Sequence, residues 1–67
     1  MPDRTQVDEW LRVHRMLMDK EAAFTDLAIR AAEGAISVTE LDKEREALMD
    51  LRALCTSIYQ KTFPKPH

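Results

Sequence analysis

Two side chains of the sequence carry groups that often do chemistry: the imidazole of His14 and the thiol of Cys55. They would offer two metal ligands per chain, and a dimer would then supply the four that zinc usually takes. Neither belongs to a CxxC, HxxxH or ExxH pair. Since free cysteine is among the most buried residue types, we expect Cys55 in the core and His14 at an interface edge. A thiol or metal sensor is therefore the least favoured of our functional alternatives, and we predict no metal site.

Other catalytic signals are weak. The sequence has no glycine-rich phosphate loop, no nucleophile elbow and no carboxylate pair isolated on an apolar face. A chain of 67 residues also has little surface with which to enclose a substrate pocket. We therefore predict that the protein is not an enzyme and has no catalytic residue, no cofactor and no small-molecule substrate.

Length and charge limit the function further. The chain is at most one domain, and its single cysteine excludes an intrachain disulfide. Its start does not resemble a signal peptide, and no apolar run approaches about 18 residues, so we expect a cytoplasmic protein without membrane contact. The net charge is −2. Because nonspecific nucleic-acid binding rests on a basic excess, nucleic acid is not an expected partner.

The positions of glycine and proline predict two helices and a short connection. Gly34 is the only glycine, and the prolines lie near the ends of the chain. Helix formers run from Thr5, a candidate N-cap, to the glycine, which suits the left-handed position that ends a helix. The predicted parts are an extension over 1–5, helix 1 over about 6–33, a turn over 34–37, helix 2 over about 38–62 and a tail over 63–67.

The start of helix 2 has the clearest local signature. Ser37 and Glu40 have the spacing of a capping box, and Ile36 and Leu41 that of a hydrophobic staple. So short a connection makes the helices antiparallel neighbours. We therefore predict an all-α fold, an antiparallel two-helix hairpin.

The apolar residues indicate that this hairpin needs a partner. On a helical wheel, helix 2 has one apolar face, whereas helix 1 has about two. The predicted hairpin core comprises Trp10, Leu17, Phe24, Leu41, Leu48, Leu51, Cys55 and Ile58. The second face of helix 1, here called the outer stripe, comprises Val7, Leu11, Met18, Ala22, Ile29 and Ala32. Uncovered apolar patches mark interaction sites, so we predict a protein-interaction module: an adaptor, co-chaperone or regulatory subunit.

The simplest partner is a second copy, which would complete a four-helix bundle, and the competing partner is a larger protein. The layout is similar to that of the Rop-type modulators of RNA complexes, which are dimeric four-helix bundles, and of small co-chaperones of type III secretion. The similarity covers architecture alone. A Rop-like nucleic-acid modulator is the main alternative function, with Arg12 and Arg15 as candidate contacts, but Asp8 and Asp19 in the same stripe would cancel much of their field.

Charged and aromatic residues leave further alternatives. The charged arc of helix 1 allows ion pairs Asp8–Arg12, Arg15–Asp19 and Asp26–Arg30. Lys20 and Glu21 interrupt the apolar surface, and we favour solvent exposure at the bundle edge over a register-setting role. At the open end of the hairpin stand three aromatic residues. Trp10, Tyr59 and Phe63 form either a plug, which we favour, or an exposed anchor for a partner.

Overall fold

The computed structural model describes residues 3–65, which form two helices and a tight turn. Helix α1 spans Arg4–Ala32 and helix α2 spans Val38–Thr62. The helices pack against each other and run antiparallel, since Trp10 near the start of α1 contacts Phe63 just beyond the end of α2. The predicted all-helical hairpin is confirmed. Residues 1–2 of the predicted extension and 66–67 of the predicted tail lie outside the described residues.

Helix α1 begins earlier than predicted, because Asp3 rather than Thr5 is its N-cap. The Asp3 carboxylate accepts a hydrogen bond from the Thr5 backbone N–H at 3.2 Å. Aspartate is among the strongest N-capping residues, and its charge suits the positive end of the helix dipole. Arg4 and Thr5 are therefore helical, and Arg4 forms an ion pair with Asp8 at 3.5 Å.

The charged residues of α1 form fewer ion pairs than their spacing along the helix allows. Between residues 3 and 65, none of the ion pairs Asp8–Arg12, Arg15–Asp19 and Asp26–Arg30 closes to within 4.0 Å. Exposed pairs of this kind contribute only a few tenths of a kcal/mol, which competes poorly with side-chain entropy and hydration. The arc is a solvated surface.

The turn is a Schellman motif centred on Gly34. This glycine has a φ of +79°, as the sequence predicts. Its N–H donates to the Ala31 carbonyl at 3.1 Å, and the Ala35 N–H donates to the Arg30 carbonyl at 2.9 Å. These two bonds satisfy carbonyls that the end of α1 would leave free. The helix ends at Ala32, one residue before the predicted end, because Glu33 serves as its C-cap.

Residues next to each end of α2 determine where the helix begins and where it ends. The Ser37 hydroxyl oxygen accepts a hydrogen bond from the Glu40 N–H at 3.2 Å, which is the first half of the predicted capping box. At the other end, the Phe63 N–H donates to the Tyr59 carbonyl at 2.8 Å. Pro64 follows and offers no N–H with which to extend the helix.

The core of the hairpin is thin. Within residues 3–65, the buried side chains are Val13, Leu48 and Cys55, each 6% exposed, and Thr62, 2% exposed. The hairpin measures 49 × 20 × 14 Å and has a radius of gyration of 15.3 Å, whereas a compact chain of this length has one of about 11 Å. Most apolar side chains are therefore half-buried or exposed. No helix in the described part of the chain has both the length and the hydropathy needed to cross a bilayer.

Replacing Gly34 with alanine should destabilise the hairpin by about 1–2 kcal/mol, because a Cβ in the left-handed region meets the following carbonyl. A Cβ at this position would contact nothing else within 4 Å, so the cost is confined to the backbone. Urea denaturation followed by circular dichroism measures it. Gly34→Asn is the matched control and should lose less stability, since asparagine tolerates this conformation better. Equal losses for the two variants would contradict the assignment.

Candidate protein-interaction surface

The outer stripe lies on a side of α1 that α2 leaves uncovered. Its large members Leu11, Met18 and Ile29 are 36%, 56% and 53% exposed. Ala22 and Ala32 are also exposed, and Val7 is half-buried. At about 100° per residue, the centre of the stripe is about 110° around the helix from the face that contacts α2. In a square four-helix bundle, the directions from one helix to its two nearest neighbours differ by a similar angle.

The residues predicted for the hairpin core are buried to different degrees. Leu48 and Cys55 are buried, and the others are half-buried: Trp10, Leu17, Phe24, Leu41, Leu51 and Ile58. The most buried side chain, Thr62, is absent from the prediction because its hydroxyl gives no apolar signal. Its spacing could have identified it, since Leu48, Cys55 and Thr62 recur every seven residues on the face of α2 that packs on α1.

Glu21 and Arg52 join the two helices at mid-length. The guanidinium of Arg52 contacts one carboxylate oxygen of Glu21 through both Nη2, at 2.9 Å, and Nε, at 3.0 Å. Glu21 lies at the edge of the hairpin and stays partly exposed, and its carboxylate also has a specific partner on α2 that the sequence analysis did not name. Their side chains remain 41% and 58% exposed, so the pair contributes less than about 1 kcal/mol in an isolated hairpin.

The register of the hairpin also brings these two residues to the same level. The antiparallel register expected from the apolar residues places Leu17 near Cys55 and Phe24 near Leu48, and each of these pairs lines a common groove. Residue 21 then stands level with residues 51 and 52. Opposite charges at level positions on neighbouring helices favour an interhelical ion pair.

Two shallow grooves lie on the same side of the hairpin, separated by Arg52. The first has a volume of about 330 Å³ and lies towards the open end of the hairpin. It is lined by Trp10, His14, Leu17, Arg52, Cys55, Thr56 and Tyr59. The second, about 340 Å³, lies towards the turn. It is lined by Glu21, Phe24, Thr25, Arg45, Leu48, Met49 and Arg52. The helical wheel places the outer stripe beside these grooves, because Met18 is one turn beyond His14 and one turn before Ala22.

Four rings form one cluster at the open end. The Trp10 ring stacks on His14 with centroids 5.0 Å apart, and it meets Tyr59 and Phe63 at 5.7 Å each. Tyr59 and Phe63 are 5.2 Å apart. Such geometries stabilise aromatic pairs by about 0.5–1.5 kcal/mol beyond burial. The cluster lies at the open end of the hairpin, and these contacts favour the plug over the exposed anchor, although Tyr59 remains 48% exposed.

His14 and Cys55 line the same groove, but the residues around them do not favour metal binding or thiol chemistry. The thiol is buried against α1, and the imidazole stacks on an indole ring. Within residues 3–65, no group of three or more histidine, cysteine, aspartate or glutamate residues is placed to hold a metal ion. The arrangement favours packing by both residues over ligation.

The arginines proposed for nucleic-acid contact lie on an outer surface of α1. Arg12 and Arg15 are exposed and line a shallow depression together with Asp8 and Asp19. Opposite charges therefore alternate within one small area, and the field that would attract a phosphate backbone is weakened.

Replacing Trp10 with alanine should destabilise the hairpin by about 2–3 kcal/mol, less than for a fully buried tryptophan because the ring is half-buried. Tyr59→Ala is the matched comparison and should lose less, since that ring is more exposed. Urea denaturation measures both. If Trp10→Ala left stability unchanged, the cluster would not close the hairpin, and the alternative of an exposed anchor for a partner would gain support.

Comparisons with known proteins do not assign a family. The chain matches no protein-family model, no curated protein sequence and no solved structure. Its function is therefore inferred from the surfaces described above, among them the outer stripe.

Proposed function

We propose that the chain is a protein-interaction module that acts through the outer stripe of α1, and that its partner is a second copy of itself. The observation that carries this proposal is the exposure of Leu11, Met18 and Ile29 along one face of α1. Large apolar side chains repeated at helical spacing and left in water favour association with another apolar surface. In this assembly the two hairpins form a four-helix bundle.

The surface area of the hairpin supports this proposal. The chain exposes 5549 Å², whereas a monomeric protein of 7.8 kDa typically exposes about 4,400 Å². The excess of about 1,200 Å² exceeds the roughly 800 Å² that each partner buries in a standard interface and lies in the range of obligate homodimers. A second copy of equal size could cover this excess.

The opposite flank of the hairpin is the main competing surface. Met16 on α1 and Leu54 on α2 are 50% and 51% exposed. On α1, however, this flank is interrupted one turn after Met16 by the charged Lys20. The outer stripe places apolar residues along most of α1, from Val7 to Ala32, and it adjoins both grooves. It is therefore the better candidate for an interface along the length of the hairpin.

Replacing Met18 or Ile29 with glutamate should dissociate the dimer, because each change places an unpaired charge in an apolar contact. Burying such a charge costs several kcal/mol, which is comparable to the whole stability of so small a domain. We expect sedimentation equilibrium to show a dimer for the unmodified protein at micromolar concentration. The two variants should be monomers that have lost part of their helical circular dichroism signal.

Met16→Glu is the matched control, since Met16 is exposed to a similar extent on the opposite flank of the same helix. This variant should remain a dimer. Dissociation of Met16→Glu, with Met18→Glu and Ile29→Glu still dimeric, would move the interface to the other flank. A stably folded monomer of the unmodified chain at high concentration would overturn the homodimer and leave a different protein as the partner.

A further inference from the structure

We infer that α1 of one copy packs antiparallel against α1 of the second copy. The two copies are related by a two-fold axis that lies level with Glu21. At this axis the Glu21–Arg52 pairs of both copies join in one four-charge cluster. This inference rests on the proposed function and specifies its geometry. It commits the outer stripe to one occupant, the same stripe of a second copy, in one direction and one register.

The first argument is the spacing of the outer stripe. Its members follow one another at intervals of 4, 7, 4, 7 and 3 residues: Val7, Leu11, Met18, Ala22, Ile29 and Ala32. Read backwards, the intervals are 3, 7, 4, 7 and 4, which agree with the forward order to within one residue. A stripe with this symmetry can pair with an inverted copy of itself, and the centre of symmetry lies at residue 20. Interfaces about a two-fold axis require such self-complementarity.

The second argument is the size of the side chains that this register brings together. The inverted copy places Leu11 opposite Ile29 and Met18 opposite Ala22, so that the large methionine meets a small residue. Parallel alignment would instead place Met18 against Met18 and Ala22 against Ala22, which crowds one layer and leaves a gap in another. Alternating large and small residues across facing positions is how helical cores reach native packing density.

The third argument is the position of the Glu21–Arg52 pair along the helix axis and the side of α1 on which Glu21 lies. Glu21 lies one residue from the centre of symmetry, and Arg52 stands level with it on α2. On the wheel, Glu21 lies between the face that packs on α2 and the outer stripe, a position that points towards the centre of a four-helix bundle. The two pairs, one from each copy, therefore meet near the axis.

The cluster has a physical role that the isolated pair lacks. Two positive and two negative charges sum to zero, and removing them from water is tolerable only when each has opposite neighbours. A shift of one helical turn would bring apolar residues against charges. The cluster thus selects one register, a known function of single polar layers in helical bundles. The register-setting role, the alternative that the sequence left open for Glu21, fits this position.

Cross-linking of single cysteines tests the direction of α1. In a Cys55→Ala background, Leu11→Cys and Ile29→Cys are prepared separately, and then unfolded and refolded together. The antiparallel register predicts that a short bis-maleimide links the mixture, because the two cysteines lie on adjoining helices about 8–10 Å apart at their axes. Either variant alone should link poorly, since equal positions are separated by about 27 Å along the bundle.

The cross-linking result distinguishes this inference from the proposed function. Efficient linking of Leu11→Cys to itself would establish a parallel interface and overturn the inference, while the dimer would stand. A dimer in sedimentation without linking of either kind would also overturn it. Monomeric unmodified protein would instead overturn the proposed function. Circular dichroism of each variant ensures that the hairpin is folded before linking.

Charge reversal tests the cluster. Glu21→Arg gathers four positive charges at the axis and Arg52→Glu gathers four negative charges, so each variant alone should dissociate at concentrations where the unmodified chain is dimeric. Mixed in equal amounts, they should recover a heterodimer with two charges of each sign. If the pair acted only within one hairpin, mixing would restore nothing, because each chain would still oppose like charges on its own two helices. Failure to recover the heterodimer would remove the cluster from the interface.

Discussion

One neighbouring helix cannot cover both apolar faces of a helix that has two. This mismatch between α1 and α2 underlies most features of the structure. Helix α2 covers one face of α1 and buries few side chains completely, with Val13 against α2 and Leu48 and Cys55 against α1. The outer stripe remains in water together with the excess of accessible surface. The hairpin therefore leaves apolar side chains of α1 exposed along the outer stripe, which is the surface on which the proposed function rests.

Local signals were sufficient to predict the helices and the turn. Glycine at a left-handed position and serine at an N-cap each have one strong conformational preference, so Gly34 and Ser37 define the connection without tertiary information. The start of α1 was misplaced because two acceptable caps, Asp3 and Thr5, stand two residues apart. Choosing between them depends on small differences in hydrogen bonding that sequence spacing does not resolve.

The candidate surface was harder to predict than the fold, for physical reasons. Apolar periodicity identifies which residues share a face, and it separated the outer stripe from the face that packs on α2. It does not by itself identify polar contacts between helices, so finding the pairing of Glu21 with Arg52 and the burial of Thr62 also requires the register of the hairpin and the seven-residue spacing on α2. A polar residue within an apolar pattern is usually read as an interruption. At the middle of this hairpin it is a contact.

The thickness of the molecule has a consequence for how its sequence can change. At 14 Å across its shortest dimension, the hairpin is scarcely thicker than a single helix with its side chains. Few of residues 3–65 are buried, so little of this part of the chain can be altered by mutation while its exterior stays the same. A substitution that repacks Phe24 or Leu48 also reshapes the adjoining groove, since both side chains line it. In a molecule this thin, a change that alters stability therefore also alters the shape of the surface.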